Sequence, residues 1–85
     1  MKTFNYTIKD ELGIHARPAG LLVKAAKGLS SKVTIEKDGK TADAAKLFAV
    51  MGLGVKKDDT VKITVEGGDE EASLKVMGEF FSSNL

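Results

Sequence analysis

Residues 32–42 read Lys-Val-Thr-Ile-Glu-Lys-Asp-Gly-Lys-Thr-Ala, and the pattern in this stretch predicts the centre of a β-sheet. Val33 and Ile35 lie on one face of an extended run, with the two-residue period of a strand. Asp38-Gly39 separates this run from a second short one, and Asp-Gly between two extended runs is a strong hairpin signal. We therefore predict two antiparallel strands joined by a tight turn.

The segment before the hairpin predicts one strand and one helix. Residues 3–8 alternate polar and apolar side chains, as in a half-buried strand, and Asp10 to Gly13 is typical of a turn. The strand places three side chains on one face: Phe4, Tyr6 and Ile8. From Pro18 to Lys27 the apolar residues follow the spacing of an amphipathic helix. They are Ala19, Leu22, Val23 and Ala26.

The segment after the hairpin predicts a short helix, a strand and a final helix. Asp43 is expected to cap the short helix, and Gly52 and Gly54 to mark its end. This helix carries Leu47, Phe48, Val50 and Met51. Thr60 to Glu66 alternates as a strand, and the acidic run 69–71 favours the start of a helix. We expect that helix to present Ala72, Val76, Met77, Phe80 and Phe81 to the core.

The predicted order of elements is therefore β-α-β-β-α-β-α. Three helices and a four-stranded sheet make a two-layer α+β domain, an open-faced β-sandwich. At 85 residues, the chain is expected to form one domain over residues 1–85. The hairpin strands are antiparallel, but these patterns do not fix the order of the other strands.

Composition and charge limit the classes of function. The chain has 13 basic and 12 acidic side chains, and a net charge of +1 gives no strong attraction to nucleic acid. Four Phe and one Tyr are the only aromatic residues, which poorly supports a base-stacking platform. With no Cys and one His, the usual disulfide and zinc sites are excluded. We expect protein or small-molecule partners, and no metal or cofactor.

No targeting segment is expected. Residues 1–20 contain no basic start followed by an apolar run, so they do not resemble a signal peptide. The longest apolar stretch, Leu47 to Met51, is far too short to span a bilayer. We therefore expect a cytoplasmic monomer that does not insert into the membrane.

His15 is the main candidate for chemistry, because it is the only imidazole and lies where a turn gives way to a helix. Free backbone N–H groups and the helix dipole make such a helix start an anion site. The same field disfavours the positively charged imidazolium, and a neutral ring keeps a lone pair for nucleophilic attack. Arg17 can bring a planar guanidinium to phosphate oxygens.

Two alternatives to this chemistry stay open from the residues alone. A lone His in a small domain is often an ordinary surface residue. If His15 and Arg17 do handle an anion, these features do not separate a transient phosphohistidine from a site that binds a free anion.

The short second helix suggests a surface for partners. Leu47, Phe48 and Met51 lie one turn apart, whereas Val50 and Leu53 are better placed for the core. An exposed apolar patch of this kind usually meets a partner, but the same pattern also allows all five residues to pack inward. On the first helix, Gly20 can allow either close packing or the approach of a partner. Lys24 and Lys27 can contact acidic partners or simply offset the dipole.

Residues 13–19, Gly-Ile-His-Ala-Arg-Pro-Ala, resemble the active-site signature of HPr, the histidine-containing phosphocarrier family of the bacterial sugar phosphotransferase system. Asp38-Gly39 and the segments 51–55 and 66–71 also resemble family segments, so the similarity covers nearly the whole chain. The resemblance implies a four-stranded antiparallel sheet covered by three helices on one face. It implies a phosphocarrier that is not an autonomous enzyme.

The resemblance also implies roles for particular residues and partners. His15 would accept phosphate on Nδ1 from phosphorylated enzyme I and donate it to IIA components, with Ala16 and Arg17 binding the phosphate. The partner interface would comprise Gly20, Lys24, Lys27, Leu47, Phe48 and Met51.

One position departs from the family pattern. Many HPr proteins have a regulatory serine where this chain has Lys46, so no hydroxyl stands at that site. The main alternative function is an HPr-like regulatory adaptor that binds partners with little phosphate transfer. Retention of His15 and Arg17 argues against this alternative. A nucleic-acid-binding α+β domain is a second alternative, disfavoured by the charge balance.

Overall fold

The computed structural model describes residues 1–85 and has four strands and three helices in the predicted order. The strands are β1 (Lys2–Thr7), β2 (Lys32–Lys37), β3 (Lys40–Asp43) and β4 (Thr60–Glu66). They form one antiparallel sheet in the order β1-β4-β2-β3. Asp38 and Gly39 both have positive φ, 50° and 82°, as the tight turn between β2 and β3 requires. The predicted hairpin is confirmed.

The strand register gives the sheet one apolar and one polar face. Val33 lies opposite Val65, and Ile35 opposite Ile63, which also faces Phe4 across the β1–β4 pair. These four aliphatic side chains are buried. The alternate positions of the same strands are polar, as in the Thr34–Thr64 pair. Only the apolar face therefore contributes to the hydrophobic core.

The three helices form the second layer. They are α1 (Ala16–Lys27), α2 (Leu47–Gly52) and α3 (Glu70–Asn84). Helix α3 packs on β1 and β4, and α1 packs against both other helices. The Phe81 ring makes edge-on contacts with Phe4 and Tyr6, at centroid distances of 6.0 and 5.5 Å. These contacts secure β1, an edge strand, to α3.

The predicted start of α2 was wrong. Asp43 lies in β3, and its Oδ1 accepts a hydrogen bond from the Ala45 amide at 2.9 Å. Sheet pairing continues one residue further, because the Ala44 amide donates to the Val33 carbonyl oxygen. The chain can therefore enter the helix only after Ala44, and Lys46 is the N-cap residue.

The predicted inner face of α3 was partly wrong. Met77 and Phe81 are buried and Phe80 is half-buried, as expected, but Ala72 and Val76 are exposed. The buried stripe runs Ser73, Met77 and Phe81, with a spacing of four residues. The predicted Asp69 start is confirmed, since its carboxylate accepts from the Ala72 amide at 3.1 Å.

Lys37 joins the hairpin to the loop that follows α2. Its Nζ donates to the Gly54 carbonyl oxygen and lies against Asp59 Oδ2, each at 2.9 Å. This hydrogen bond from Lys37, followed by one from the Lys56 amide, lowers the pKa of Asp59 below its ordinary value. The loop 54–59 is thus attached to β2. None of the helices is long and apolar enough to cross a membrane.

Candidate functional site

The loop before α1 is shaped by a close approach between two segments distant in sequence. Gly13 has a φ of +67°, and a Cβ there would collide with the Val55 carbonyl oxygen and the Lys56 backbone. The Ile14 amide donates to that same carbonyl oxygen at 3.0 Å, and the Ile14 side chain is buried. The next residue, His15, is therefore placed at the surface by an anchored loop.

His15 is the N-cap residue of α1, in an extended conformation with φ −110° and ψ −174°. Its carbonyl oxygen accepts the first helical hydrogen bond, from the Ala19 amide at 2.9 Å. The amides of Ala16 and Arg17 have no acceptor within the chain, Pro18 has no N–H, and no side chain caps the helix. The predicted helix start with free donors beside the imidazole is therefore confirmed.

The charges carried by α1 itself favour an anion at its start. No acidic residue lies in the first turn of α1, whereas Arg17 is exposed there and makes no salt bridge within the chain. Lys24 and Lys27 lie in the last turn, where they offset the negative end of the dipole. A helix start of this kind stabilises a bound anion by about 0.3–2 kcal/mol.

A shallow, open depression of about 270 Å³ surrounds the imidazole. His15 and Arg17 lie in its wall, and 37% of the His15 side chain is exposed. The other residues lining it are Asp10, Pro18, Leu21, Ser83 and Asn84. The depression thus joins the loop before α1 to the end of α3, and it leaves the imidazole open to large partners.

Asp10 is a site residue that sequence reasoning missed. Its Oδ1 lies 4.0 Å from His15 Nε2, and it is the only acidic side chain lining the depression. The sequence pattern assigned Asp10 to a turn, and nothing in the spacing of Asp10 and His15 indicates this contact. It depends on the fold of the loop, which the Ile14–Val55 hydrogen bond holds.

The residues predicted to meet partners are all exposed. Phe48 has 85% of its surface exposed, and Leu47 and Met51 have 37% each. Val50 is fully buried and Leu53 is half-buried, as predicted, so the alternative that all five pack inward is wrong. Gly20, Lys24 and Lys27 are exposed on α1, which packs against α2.

Lys46 is exposed at the N-cap of α2 and its side chain makes no capping hydrogen bond. A cation at the start of a helix opposes the dipole. Elsewhere, no group of three or more His, Asp or Glu side chains is gathered where it could hold a metal ion.

The sheet order and the three helices define the chain as an open-faced α+β sandwich, with a partly exposed histidine at the start of α1. A family model described as the PTS HPr component phosphorylation site matches residues 2–83, and the chain belongs to this HPr family. Members of the family are phosphocarriers within the phosphotransferase system rather than autonomous enzymes.

Solved structures support the same assignment. HPr from Thermoanaerobacter tengcongensis is 40% identical, with a TM-score of 0.92 over 98% of this chain and 93% of that chain. The phosphocarrier protein HPr from Bacillus anthracis is 31% identical, with a TM-score of 0.87 over 94% and 95% of the two chains.

A third similar structure is Crh of Bacillus subtilis, a catabolite repression protein that forms a domain-swapped dimer. It is 30% identical to this chain, with a TM-score of 0.78 over 94% of this chain and 92% of that one. The fold therefore occurs both in phosphocarriers and in a catabolite repression protein.

Proposed function

We propose that this chain carries a phosphoryl group on His15, taken from phosphorylated enzyme I and given to IIA components in sugar uptake. The observation that carries the proposal is the partly exposed imidazole at the N-cap of α1, followed by two unpaired amides and the Arg17 side chain. We propose Nδ1 as the acceptor atom, as the resemblance to the family implies. Neither ring nitrogen of His15 makes a hydrogen bond within the chain, so Nδ1 is available.

The chemistry needed from a carrier is modest. Phosphoryl transfer depends on in-line positioning and on stabilisation of charge around the phosphorus. The Ala16 and Arg17 amides supply donors, and the Arg17 guanidinium supplies a planar pair of N–H groups for phosphate oxygens. A carrier that held phosphate tightly would slow the onward step, so an open site with few contacts favours transfer.

The proposed docking surface comprises the exposed residues of α1 and α2. Leu47, Phe48 and Met51 offer an apolar patch, and the flexible Met side chain suits a surface that meets several partners. Gly20 leaves open space on α1, since a Cβ there would meet nothing within 4 Å. Lys24 and Lys27 add positive charge for acidic partners. We place this carrier in the cytoplasm as a monomer.

Incubation with enzyme I and phosphoenolpyruvate, followed by intact mass measurement, tests the proposal. We expect the mass of one phosphate to be added, to be lost on brief acid treatment, and to be absent in His15→Ala. A phosphoramidate is acid-labile, whereas an acid-stable adduct would indicate a hydroxyl acceptor. Full phosphorylation of His15→Ala would overturn the assignment of the acceptor.

A regulatory adaptor is the second candidate, because Crh shares this fold. An adaptor would bind its partners and gain little or no phosphate in the same incubation. The presence of both His15 and Arg17 at the helix start favours the carrier.

A further inference from the structure

Hydrogen bonds hold the Asp10 carboxylate in place even though the residue lies in a loop. Its Oδ1 accepts from the Leu12 amide at 2.8 Å, and its carbonyl oxygen accepts from the Gly13 amide at 3.0 Å. Its own amide donates to the carbonyl oxygen of Leu85 at 2.9 Å. The backbone on both sides and one carboxylate oxygen are therefore fixed, which gives the carboxylate a defined direction.

This fixed carboxylate lies on one particular side of the His15 ring. The Oδ1–Nε2 distance is 4.0 Å, and both side chains are partly exposed, Asp10 by 32% and His15 by 37%. A proton on Nε2 would face the negative carboxylate. A proton on Nδ1 would instead turn the Nε2 lone pair towards the carboxylate, which is repulsive. At 4.0 Å the two atoms form a charge contact rather than a hydrogen bond, so the carboxylate acts on the tautomer through its electric field.

We propose that Asp10 is a positioning residue that keeps His15 protonated on Nε2, so that the Nδ1 lone pair faces the phosphoryl group. The inference rests on the proposed role of His15 as the phosphate acceptor. Asp10 touches neither the phosphate nor the partner in this role and acts only through the imidazole.

In the transfer step, the imidazole ring gains a positive charge that the Asp10 carboxylate can stabilise. The Nδ1 lone pair forms the N–P bond, while the bond from phosphorus to the donor breaks and its electron pair stays on the donor. The proton on Nε2 does not move, so the phosphorylated ring carries a positive charge opposite the Asp10 carboxylate. Onward transfer breaks the N–P bond and returns the pair to Nδ1. Asp10 therefore stabilises the charged ring in both directions.

The tautomer can be measured directly in the free protein by long-range ¹H–¹⁵N NMR correlations of the neutral ring. We compare the natural protein with Asp10→Asn, which keeps an oxygen for the Leu12 amide but removes the charge. Glu11→Gln is the matched control, because it removes the same charge one residue along at an exposed position. We expect the share of the Nδ1–H form to rise roughly two- to fivefold in Asp10→Asn, the size typical of an exposed charge pair. Glu11→Gln should match the natural protein.

A second readout separates positioning from docking. In Asp10→Asn the phosphorylation rate at saturating enzyme I should fall roughly two- to fivefold, while the half-saturating concentration of enzyme I stays unchanged. An unchanged tautomer in Asp10→Asn, or an equal change in Glu11→Gln, would overturn the role of Asp10. So would a loss seen only in half-saturation. The tautomer measurement needs no phosphate donor, so its failure removes Asp10 alone. A natural protein that accepts no phosphate overturns the acceptor role of His15 and the role of Asp10 with it.

Discussion

Arg17 has the properties of a group kept free for a ligand. It is exposed in the first turn of α1, beside its own unpaired amide, and no carboxylate pairs with its guanidinium. A surface arginine of purely structural use would usually contact an acidic neighbour or cover apolar surface. The arrangement therefore favours contact with an incoming phosphate.

We predict that Arg17→Lys slows phosphoryl transfer to and from His15 by roughly tenfold, because lysine keeps the charge but loses the planar pair of donors. The melting temperature should not change, since the side chain has no partner within the chain. Rapid-quench measurement of phosphohistidine formation and discharge checks both directions. Natural rates in both directions would show that Arg17 is only a surface charge.

His15 and Asp10 differ in how far the sequence reveals them. His15 could be found from the sequence because it is a unique imidazole three residues before Pro18, in a run that predicts a helix start. Asp10 could not, because its distance from the ring depends on a loop held by Val55, which is distant in sequence. Local patterns predict the residue that begins an element more readily than the neighbour that folding brings to it.

Helix α2 leaves part of its apolar surface exposed, although it is only six residues long. Val50 alone is fully buried on it, while Leu47, Phe48 and Met51 face outward. A helix this short has little stability of its own. It is held in place mainly by the buried Val50 side chain. The position of the exposed patch therefore depends on the burial of Val50.

We predict that Met51→Glu and Phe48→Glu each weaken binding to enzyme I by roughly tenfold, the effect of losing an interface anchor. The unfolding free energy should change by only about 0.5 kcal/mol, as for surface substitutions. Val65→Ala is the control, because Val65 is buried in β4 against α3 and does not support α2; it should lose about 2 kcal/mol of stability with little effect on binding. Titration calorimetry and thermal melts separate the two effects. A large drop in the melting temperature of Met51→Glu would place Met51 in the core instead.

We predict that Lys46→Glu reduces association with enzyme I by roughly two- to fivefold at low salt, where exposed charges act most strongly. An acidic N-cap suits the dipole of α2, so the weaker binding could not come from a melted helix. Lys75→Glu is the control, since Lys75 is exposed on α3, away from α2. An unchanged rate of phosphorylation for Lys46→Glu at low salt would contradict the prediction.

Because residue 46 is a lysine, we predict that the natural protein is not regulated by phosphorylation at this position. An ammonium group cannot form the phosphate ester that a hydroxyl forms, so an HPr kinase with ATP should not modify residue 46. Mass spectrometry after such an incubation checks this. Efficient phosphorylation of the natural protein, for instance at Ser30 or Ser31, would show that another serine has taken over.

The element boundaries show where local patterns stop being sufficient. The Thr60–Glu66 strand and the Asp38-Gly39 turn were predicted correctly, because alternation and turn chemistry act within a few residues. The N-cap of α2 was predicted wrongly because the Ala44 amide still donates to Val33 of β2. Sheet pairing therefore continues past Asp43 and delays the start of the helix. On α3, Ser73 is buried although polar, so an apolar pattern could not find it.

For the molecule as a whole, the class of fold could be predicted and the strand order could not. The order β1-β4-β2-β3 places β4 between two strands from the first half of the chain. Nothing in the local pattern of Val61, Ile63 and Val65 says which strands will flank them. The resemblance to the family supplied the antiparallel sheet covered on one face, and the structure confirms it.

The contact of Lys37 with Asp59 makes the stability of the whole molecule sensitive to acid. The pKa of Asp59 is lowered in the folded protein, first by the hydrogen bond from Lys37 and then by that from the Lys56 amide. The contribution of such a group to stability is present above the unfolded value of about 3.9. It is lost as the pH falls through the lower folded value, because the carboxylate must then be protonated.

We therefore predict that Asp59→Asn lowers the melting temperature by a constant amount above about pH 5, and that the difference shrinks below about pH 4. Asp58→Asn is the matched control: Asp58 is the exposed neighbour, and its positive φ of 74° suits asparagine. Thermal melts across this pH range check the prediction. A difference that did not shrink on acidification would show that the Lys37–Asp59 contact is not formed in solution.

The close approach at Gly13 has an evolutionary consequence. Every single-base change in a glycine codon that alters the amino acid introduces a side chain with a Cβ, and each would strike the Val55 carbonyl oxygen and the Lys56 backbone. No amino acid that a single-base change could place at residue 13 is therefore tolerated without a backbone shift. The adjacent Leu12 is exposed and can be replaced freely. A descendant that lost Gly13 would have to reroute the 54–56 segment in the same lineage. Amino-acid changes in this loop should thus accumulate at the residues around Gly13 and not at Gly13 itself.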